Sequence, residues 1–382
     1  MNSNLPNTEP QEAFFLTDEA QLRRWMPWLT LFRAFRVALG HRQLMVGFVA
    51  VWLLAGGMRL ISSFEGNTQT PLASGEFHLS DKLPKVGETP INYGVAELVM
   101  LTGSATREVL VGVKPLGTWS LSLLKWVWMF GILLLFGGMS SRLAALELTQ
   151  SQHCSLTDAS SFVGRRIGAY SGGIALAAGG FLLFAFFNAV IGSLGNIPVV
   201  GPILLWVGYP VALCFGLLLT LLAVGLAASW PLMICTISVD GTDAFDALSR
   251  SFNYIYSRTW YALFLVVVML LFGWGLQTVV TYFVSLIQTF TDYSVGYWLN
   301  REVVDPVDIV LFWRVALSSV PVAFSFSYFW VGGTIVYLLL RKSEDATPLT
   351  SVYLEDQASD ELPLVGIPAA NLREKQTAGE SE

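Results

Sequence analysis

Residues 202–229 read PILLWVGYPVALCFGLLLTLLAVGLAAS, a run with no charged side chain. At about 1.5 Å of rise per helical residue, roughly 20 apolar residues cross a hydrocarbon core of about 30 Å, so this run spans with residues to spare. Further runs of the same kind lie at 43–62, 118–139, 167–193, 259–288 and 309–340. Lipid offers no water to the backbone, so each run must close its own hydrogen bonds as a helix. The sequence therefore predicts an all-α polytopic membrane protein, a bundle of six transmembrane helices with short cytoplasmic interfacial helices.

Composition agrees. The chain has 382 residues, 54% hydrophobic and 13% charged, against about 25% charged in soluble domains. Three regions follow: a cytoplasmic N-terminal segment with an amphipathic helix (1–42), the six-helix domain (43–340, including an extracytoplasmic loop at 63–117), and an acidic tail (341–382). Nine of the residues from Glu344 to Glu382 are acidic, against Arg373 and Lys375, so the tail is expected to be solvated and disordered. No basic stripe points to nucleic acid. The first 22 residues carry acids where a cleaved signal would carry a basic and then an apolar stretch, so the first span is expected to serve as its own targeting signal.

Basic residues set the expected orientation. Arg23, Arg24, Arg33, Arg36 and Arg42 precede the first span; Arg142, Arg165 and Arg166 lie in 140–166; Arg250 and Arg258 lie in 230–258; Arg341 and Lys342 close the last span. Six alternating helices place all of these on one side, which the positive-inside rule makes cytoplasmic, with both termini. Trp119, Trp298 and Trp313 are read as outer interface anchors, and Trp230 and Trp260 as inner ones.

Within the external loop, the stretch 95–113 is apolar but broken by Glu97, Arg107 and Glu108. It reads as amphipathic helices on the outer interface, with a re-entrant element as the alternative. On the inner side, Ser155 to Asp158 and Asp240 to Asp243 each look like a helix start, a capping side chain followed three residues on by an acid. The second such helix is expected to gather Ala244, Phe245, Leu248, Phe252, Ile255 and Tyr256 on one face, to lie flat on the inner interface, and to carry an Asp246–Arg250 pair at i, i+4. The triplet Thr-Asp-Ala recurs at 157–159 and 242–244, which suggests a repeated unit of short helix plus transmembrane hairpin; chance use of capping residues is the competing explanation.

Groups that could carry chemistry are few. Lys125 and Arg314 sit just inside predicted spans, where snorkelling to the headgroups competes with an anion-binding role. No span holds a central carboxylate, which weighs against a proton relay. Asn188, Gln277 and Gln288 suit helix–helix hydrogen bonds, and Pro210 and Pro321 suit kinks. The rows Gly168/Gly172, Ser171/Ala175/Gly179 and Gly208/Ala212/Gly216 suit close helix approach. His41, His78 and His153 fall in separate segments, and Cys154, Cys214 and Cys235 show no disulfide or zinc spacing. No catalytic residue, cofactor or metal is called. The candidate contact residues for a ligand or partner are Lys125, Arg142, Asp246 and Arg250.

The stretch from Ser229 to Arg258, SWPLMICTISVDGTDAFDALSRSFNYIYSR, and the upstream GGMSSRLAALE at 137–147 resemble a group of uncharacterised multi-pass proteins typical of planctomycete bacteria. More distantly, the pattern over 118–340 is similar to the membrane domain of some glycerophosphodiester phosphodiesterases, whose soluble catalytic barrel has no counterpart in this sequence. The resemblance implies the fold and no catalytic residue. The sequence thus reads as an inner-membrane protein that organises lipids or a membrane protein complex without enzymatic activity. Its expected partners are membrane lipids, a membrane protein or a second copy. A lipid or small-molecule carrier using the helices bent at Pro210 and Pro321 is the alternative, and a lipid-headgroup enzyme the third.

Overall fold

The computed structural model describes residues 26–64, 102–107, 109, 116–150, 154–298 and 307–354. A 3-10 turn at Pro27–Phe32 leads into α1 (Arg33–Ala38), α2 (His41–Ser63), α3 (Leu116–Gln150), α4 (Leu156–Arg165) and α5 (Ile167–Leu194). Then come α6 (Gly201–Asp240), α7 (Ala244–Ser257), α8 (Thr259–Trp298) and α9 (Val307–Asp345). Six of these are long and apolar enough to cross a membrane, and no strand occurs among the described residues. The tail from 355 and most of the loop 63–117 lie outside the described residues.

The last helix is the post around which the others stand. In its most apolar window α9 is 94% buried, against 11% for α5 and 6% for α6. Helices α1, α2, α3 and α8 pack on α9, and the final turns of α6 join them. The outer two-thirds of α5 and α6 instead pack on one another through Phe184, Phe187 and Phe215, leaving Leu182, Phe186, Trp206 and Leu217 exposed. They form an antiparallel arm. Helix α6 enters the core at Ser229 and Trp230, beside the internal Pro231.

Lipid supplies no hydrophobic force between helices, so contact rests on shape and on polar pairs. Glycine provides the shape at Gly137, where an added Cβ would lie 2.4 Å from the Trp330 indole, and at Gly47, where it would lie 2.4 Å from the Ala323 carbonyl. Polar pairs tie the same helices. The Gln43 amide donates to the Ser140 carbonyl at 2.9 Å and accepts from the Ser140 hydroxyl at 2.6 Å. Ser327 donates to the Gln43 carbonyl at 2.7 Å. Between α8 and α9, Gln277 donates to the Pro321 carbonyl at 3.1 Å and accepts from Ser325 at 2.6 Å. Gln288 donates to Ser318 at 2.7 Å. Two of the three expected polar residues thus bridge helices, whereas the Asn188 carbonyl oxygen, on the arm, has no partner.

Several expectations need correction. The predicted inner loops are largely helix: α3 continues to Gln150 and α6 to Asp240. Because Gln43, near the start of α2, lies beside Ser140 and Ser327, α3 and α9 run on for about 15 and 27 Å past that level at 1.5 Å per residue. This extension forms a polar end, carrying Arg142, Asp240, Arg250 and Arg341. Trp230 is not an interface anchor: its indole packs on Trp330 at 5.8 Å and Phe130 at 5.9 Å. Trp260 and Trp313 are exposed as anchors would be. In the loop 63–117, Trp119 donates to the Val109 carbonyl and Trp126 to Thr106, and Ala105 packs on the core. The described part of 95–113 therefore descends about 10 Å beside α3, the rise between those two indoles.

The short helix α4 opens as expected: the Ser155 hydroxyl accepts from the Asp158 amide at 3.0 Å and donates to its carboxylate at 2.6 Å. Helix α7 opens three residues later than expected, on Asp243, which accepts from the Asp246 amide at 3.1 Å. Its buried face is Ala247, Ser251 and Tyr254, while Phe245 is 68% exposed. The order of short helix and hairpin recurs in α4–α6 and α7–α9, but their environments differ, one ending in the arm and the other in the post. Of the small-residue rows, Gly172 and Gly208 make close approaches, an added Cβ falling 2.7 Å from Ala244 and 3.1 Å from Ile191, while Gly168, Gly179 and Gly216 face open space.

Candidate functional site at the polar end of the bundle

Asp240 is the last residue of α6 and the centre of the polar end. The helix stops there because Gly241 adopts a left-handed conformation, φ 65°, that closes its final turn by donating to the Ile237 carbonyl at 2.9 Å. The Asp240 carboxylate accepts from the Arg341 guanidinium, from the Tyr337 hydroxyl at 2.5 Å and from Arg250 at 3.4 Å. Arg341 is 3% exposed, so its charge is compensated by the protein and not by water. From α7, Arg250 also reaches Asp246 at 2.8 Å, the expected i, i+4 pair, and that hydrogen bond holds its guanidinium above its usual range.

Further pairs join α7 and the start of α8 to α9. The Tyr254 hydroxyl donates to Asp345, and Arg258 pairs with Glu344 at 2.8 Å. Burial first, and then the Asp345 hydrogen bond, push the Tyr254 phenol above its ordinary value, so it remains a donor through the neutral range. Three helices are thereby locked into one register.

Above this lock lies a second polar layer. Arg142 donates to the Ser238 carbonyl at 2.9 Å, and its guanidinium sits 4.1 Å from the centre of the Phe162 ring. The Ser238 hydroxyl meets the Tyr170 hydroxyl at 2.9 Å. Cys235 lies between Ser141 and Thr334, at 3.7 and 3.8 Å, fully buried.

The chain then folds back over the polar end. Residues 346–354, here the strap, leave α9 at Ala346, whose φ is 53°, and cross to the end of α6, where the Tyr353 amide donates to the Val239 carbonyl at 2.9 Å. Arg142 donates to the Tyr353 carbonyl at 2.8 Å, and Arg341 to the Ser351 carbonyl at 2.6 Å and the Pro348 carbonyl at 3.3 Å. The Arg166 guanidinium lies 5.0 Å from the centre of the Tyr353 ring. A Cβ on Gly241 would fall 2.8 Å from that ring, a second reason for glycine there.

Among the candidates from sequence, Arg142, Asp246 and Arg250 come together at this end. Arg142 is 4% exposed, so it faces the core and the strap and not solvent. Lys125 stands apart, buried within α3, and Arg314 pairs with Asp292 at 2.5 Å. Asp240, Tyr254, Tyr337, Arg341 and Tyr353 were not singled out. Asp240 reads locally as a cap and Arg341 as a topogenic charge; only a tyrosine, Tyr337, one turn before Arg341 in an apolar run hinted at a buried polar layer. A separate cavity of about 130 Å³ is lined by His41, Arg42, Glu147 and Cys154. Arg42 donates to the Cys154 carbonyl at 2.6 Å, and burial, aided by Asp158, pushes the Cys154 thiol above its ordinary value. Among the described residues, no three His, Cys, Asp or Glu side chains gather as a metal site would require. No known protein family, curated protein or solved structure matches the chain.

Proposed function

We propose that this chain is a non-enzymatic protein of the cytoplasmic membrane that organises lipids or a membrane protein complex, with its polar end and both termini in the cytoplasm. The observation that carries this reading is the contrast between a post 94% buried and an arm whose helices are 11% and 6% buried in their most apolar windows. A locked core that holds two helices out into lipid suits a protein that presents surface. The excess of arginine at the polar end supports the orientation.

A carrier would use Pro210 and Pro321 around a shared path. Pro210 lies on the arm and Pro321 in the post, and α6 meets α9 from Trp230 inward. The organiser reading therefore stands ahead of the carrier.

Native mass spectrometry of protein extracted gently from its own membrane tests this. A stoichiometric membrane protein or retained lipids, lost when Leu182, Phe186 and Leu217 are replaced together by serine, is the expected result. Retention of one small soluble molecule, with neither lipid nor protein attached, would overturn it in favour of the carrier.

A further inference from the structure

The cavity lined by His41, Arg42, Glu147 and Cys154 lies at the depth where the first span begins. Gln43, which also lines it, bonds Ser140, and Glu147 stands further along α3 by a rise of about 10 Å. For a spanning bundle that is the layer of the lipid headgroups. Arg42 and Glu147 share this space without pairing. Among the described residues the Arg42 guanidinium makes one hydrogen bond, to the Cys154 carbonyl at 2.6 Å, and no ion pair, while the Glu147 carboxylate makes neither. A guanidinium carries several N–H donors, so most of those on Arg42 remain for a ligand. Both side chains are half-buried, within reach of a molecule from the headgroup layer or from water.

A cation and an anion that face one cavity without closing on each other match a ligand that carries both signs. The volume of about 130 Å³ is close to the roughly 150 Å³ that holds a benzene-sized molecule. The lining also discriminates among ammonium groups. A trimethylammonium is recognised by aromatic faces, and no Trp, Tyr or Phe lines this cavity. A primary ammonium instead donates hydrogen bonds to a carboxylate. A ligand with negative charge alone would meet Glu147 as a like charge.

We propose that this cavity binds ethanolamine phosphate, with the phosphate at Arg42 and the ammonium at Glu147. The headgroup of phosphatidylethanolamine and the free zwitterion share this chemistry, and the depth of the cavity favours the lipid. The N-terminal end of α2 faces the same space through Gly40 and His41, and its dipole adds to the charge of Arg42. Leu143, one turn before Glu147 on the same face of α3, packs with Val46 and Ala159 and so fixes where the carboxylate is mounted. The lipid source rests on the organiser reading, for which it names the lipid that the core selects. Leu182, Phe186 and Leu217 of the arm do not line the cavity, so the serine variant that tests the arm leaves this site whole and the two failures are told apart.

Native mass spectrometry of the full chain in detergent measures the binding of phosphatidylethanolamine, phosphatidylcholine and phosphatidylglycerol with identical acyl chains, added singly. Free phosphoethanolamine is added in place of lipid in a further arm. Phosphatidylethanolamine should bind about fivefold more tightly than either other lipid, the gain from one partly exposed ion pair. Glu147→Gln should erase that preference and leave phosphatidylcholine binding unchanged, and Arg42→Gln should weaken phosphatidylethanolamine by a similar factor. Arg42→Gln also loses the Cys154 contact; should it fold poorly, Glu147→Gln decides alone. A preference seen with lipid only assigns the ligand to the membrane, and retention of phosphoethanolamine that Glu147→Gln abolishes assigns it to solution; either supports the site. Equal affinity for the three lipids with no phosphoethanolamine retained, or selective binding that survives Glu147→Gln, would overturn it.

Discussion

Replacing Asp240 by alanine removes the one carboxylate that meets Arg341, Tyr337 and Arg250 together. Arg341 is 3% exposed and Asp240 12% at the side chain, so the remaining guanidinium is stranded away from water. Losing one partner of a buried ion pair costs about 3–5 kcal/mol. The Tyr337 hydroxyl loses its acceptor as well, for a further ~1–3 kcal/mol, although the two terms overlap and do not simply add. Native proteins hold only about 5–15 kcal/mol in all. At roughly 1–2 °C per kcal/mol for a chain longer than 250 residues, Tm should fall by about 5–10 °C. Cys235 is fully buried, so with Cys154 and Cys214 replaced by serine a fluorogenic maleimide reports the transition as the Cys235 thiol becomes accessible. Replacing both partners, Asp240→Ala with Arg341→Met, removes the stranded charge and should recover most of the loss. A single variant as stable as the parent, or a double variant no better than the single one, would refute the lock.

Other outcomes follow from the same contacts. Gly137→Val places carbon against the Trp330 indole and should destabilise by about 1–3 kcal/mol through overpacking, seen as a lower Tm; an unchanged Tm would mean the helices are not in contact there. Gln277→Leu and Ser325→Ala, combined in a double-mutant cycle, should show a coupling near 0.6 kcal/mol, typical of hydrogen bonds between helices in membranes; zero coupling would dissolve the pair. Cys154, its thiol raised above the ordinary value by burial and Asp158, should react with maleimide more slowly than a free thiol at neutral pH, the rate still climbing above pH 9; a rate that levels off below pH 8 contradicts this. The raised value at Tyr254 means that the folded state favours the neutral phenol. Its contribution is thus complete below the unfolded value near 10 and lost as pH rises past it. Tyr254→Phe should remove that part of the alkaline unfolding profile, and an identical profile would exclude Tyr254 as its source.

Membrane class was legible because the length of an apolar run is a local property. The cap at Ser155 and the Asp246–Arg250 pair were legible for the same reason, since both partners lie within four residues on one helix. What failed was the reading of 230–239 and 140–150 as loops. Asp240 read as a helix start and Arg142 as a ligand or partner contact, and only partners about a hundred positions away make their burial tolerable. The Arg142 contacts with Ser238 and Tyr353, and those of Asp240 with Tyr337 and Arg341, carry no local pattern.

The sequence by itself determined that six helices cross a membrane and where the short helix α4 begins. It also held an unused sign of their places: the window of the post has a mean hydropathy of 1.6 and that of α6 one of 2.6. A helix walled by other helices tolerates serine, tyrosine and arginine that find partners, whereas one facing lipid must be apolar all round. Only the tertiary structure decided that α9 is the post, that α5 and α6 stand out as an arm, and that the strap closes the polar end. Each depends on side chains far apart in the chain becoming neighbours, and on buried charges that become stable only when those neighbours arrive.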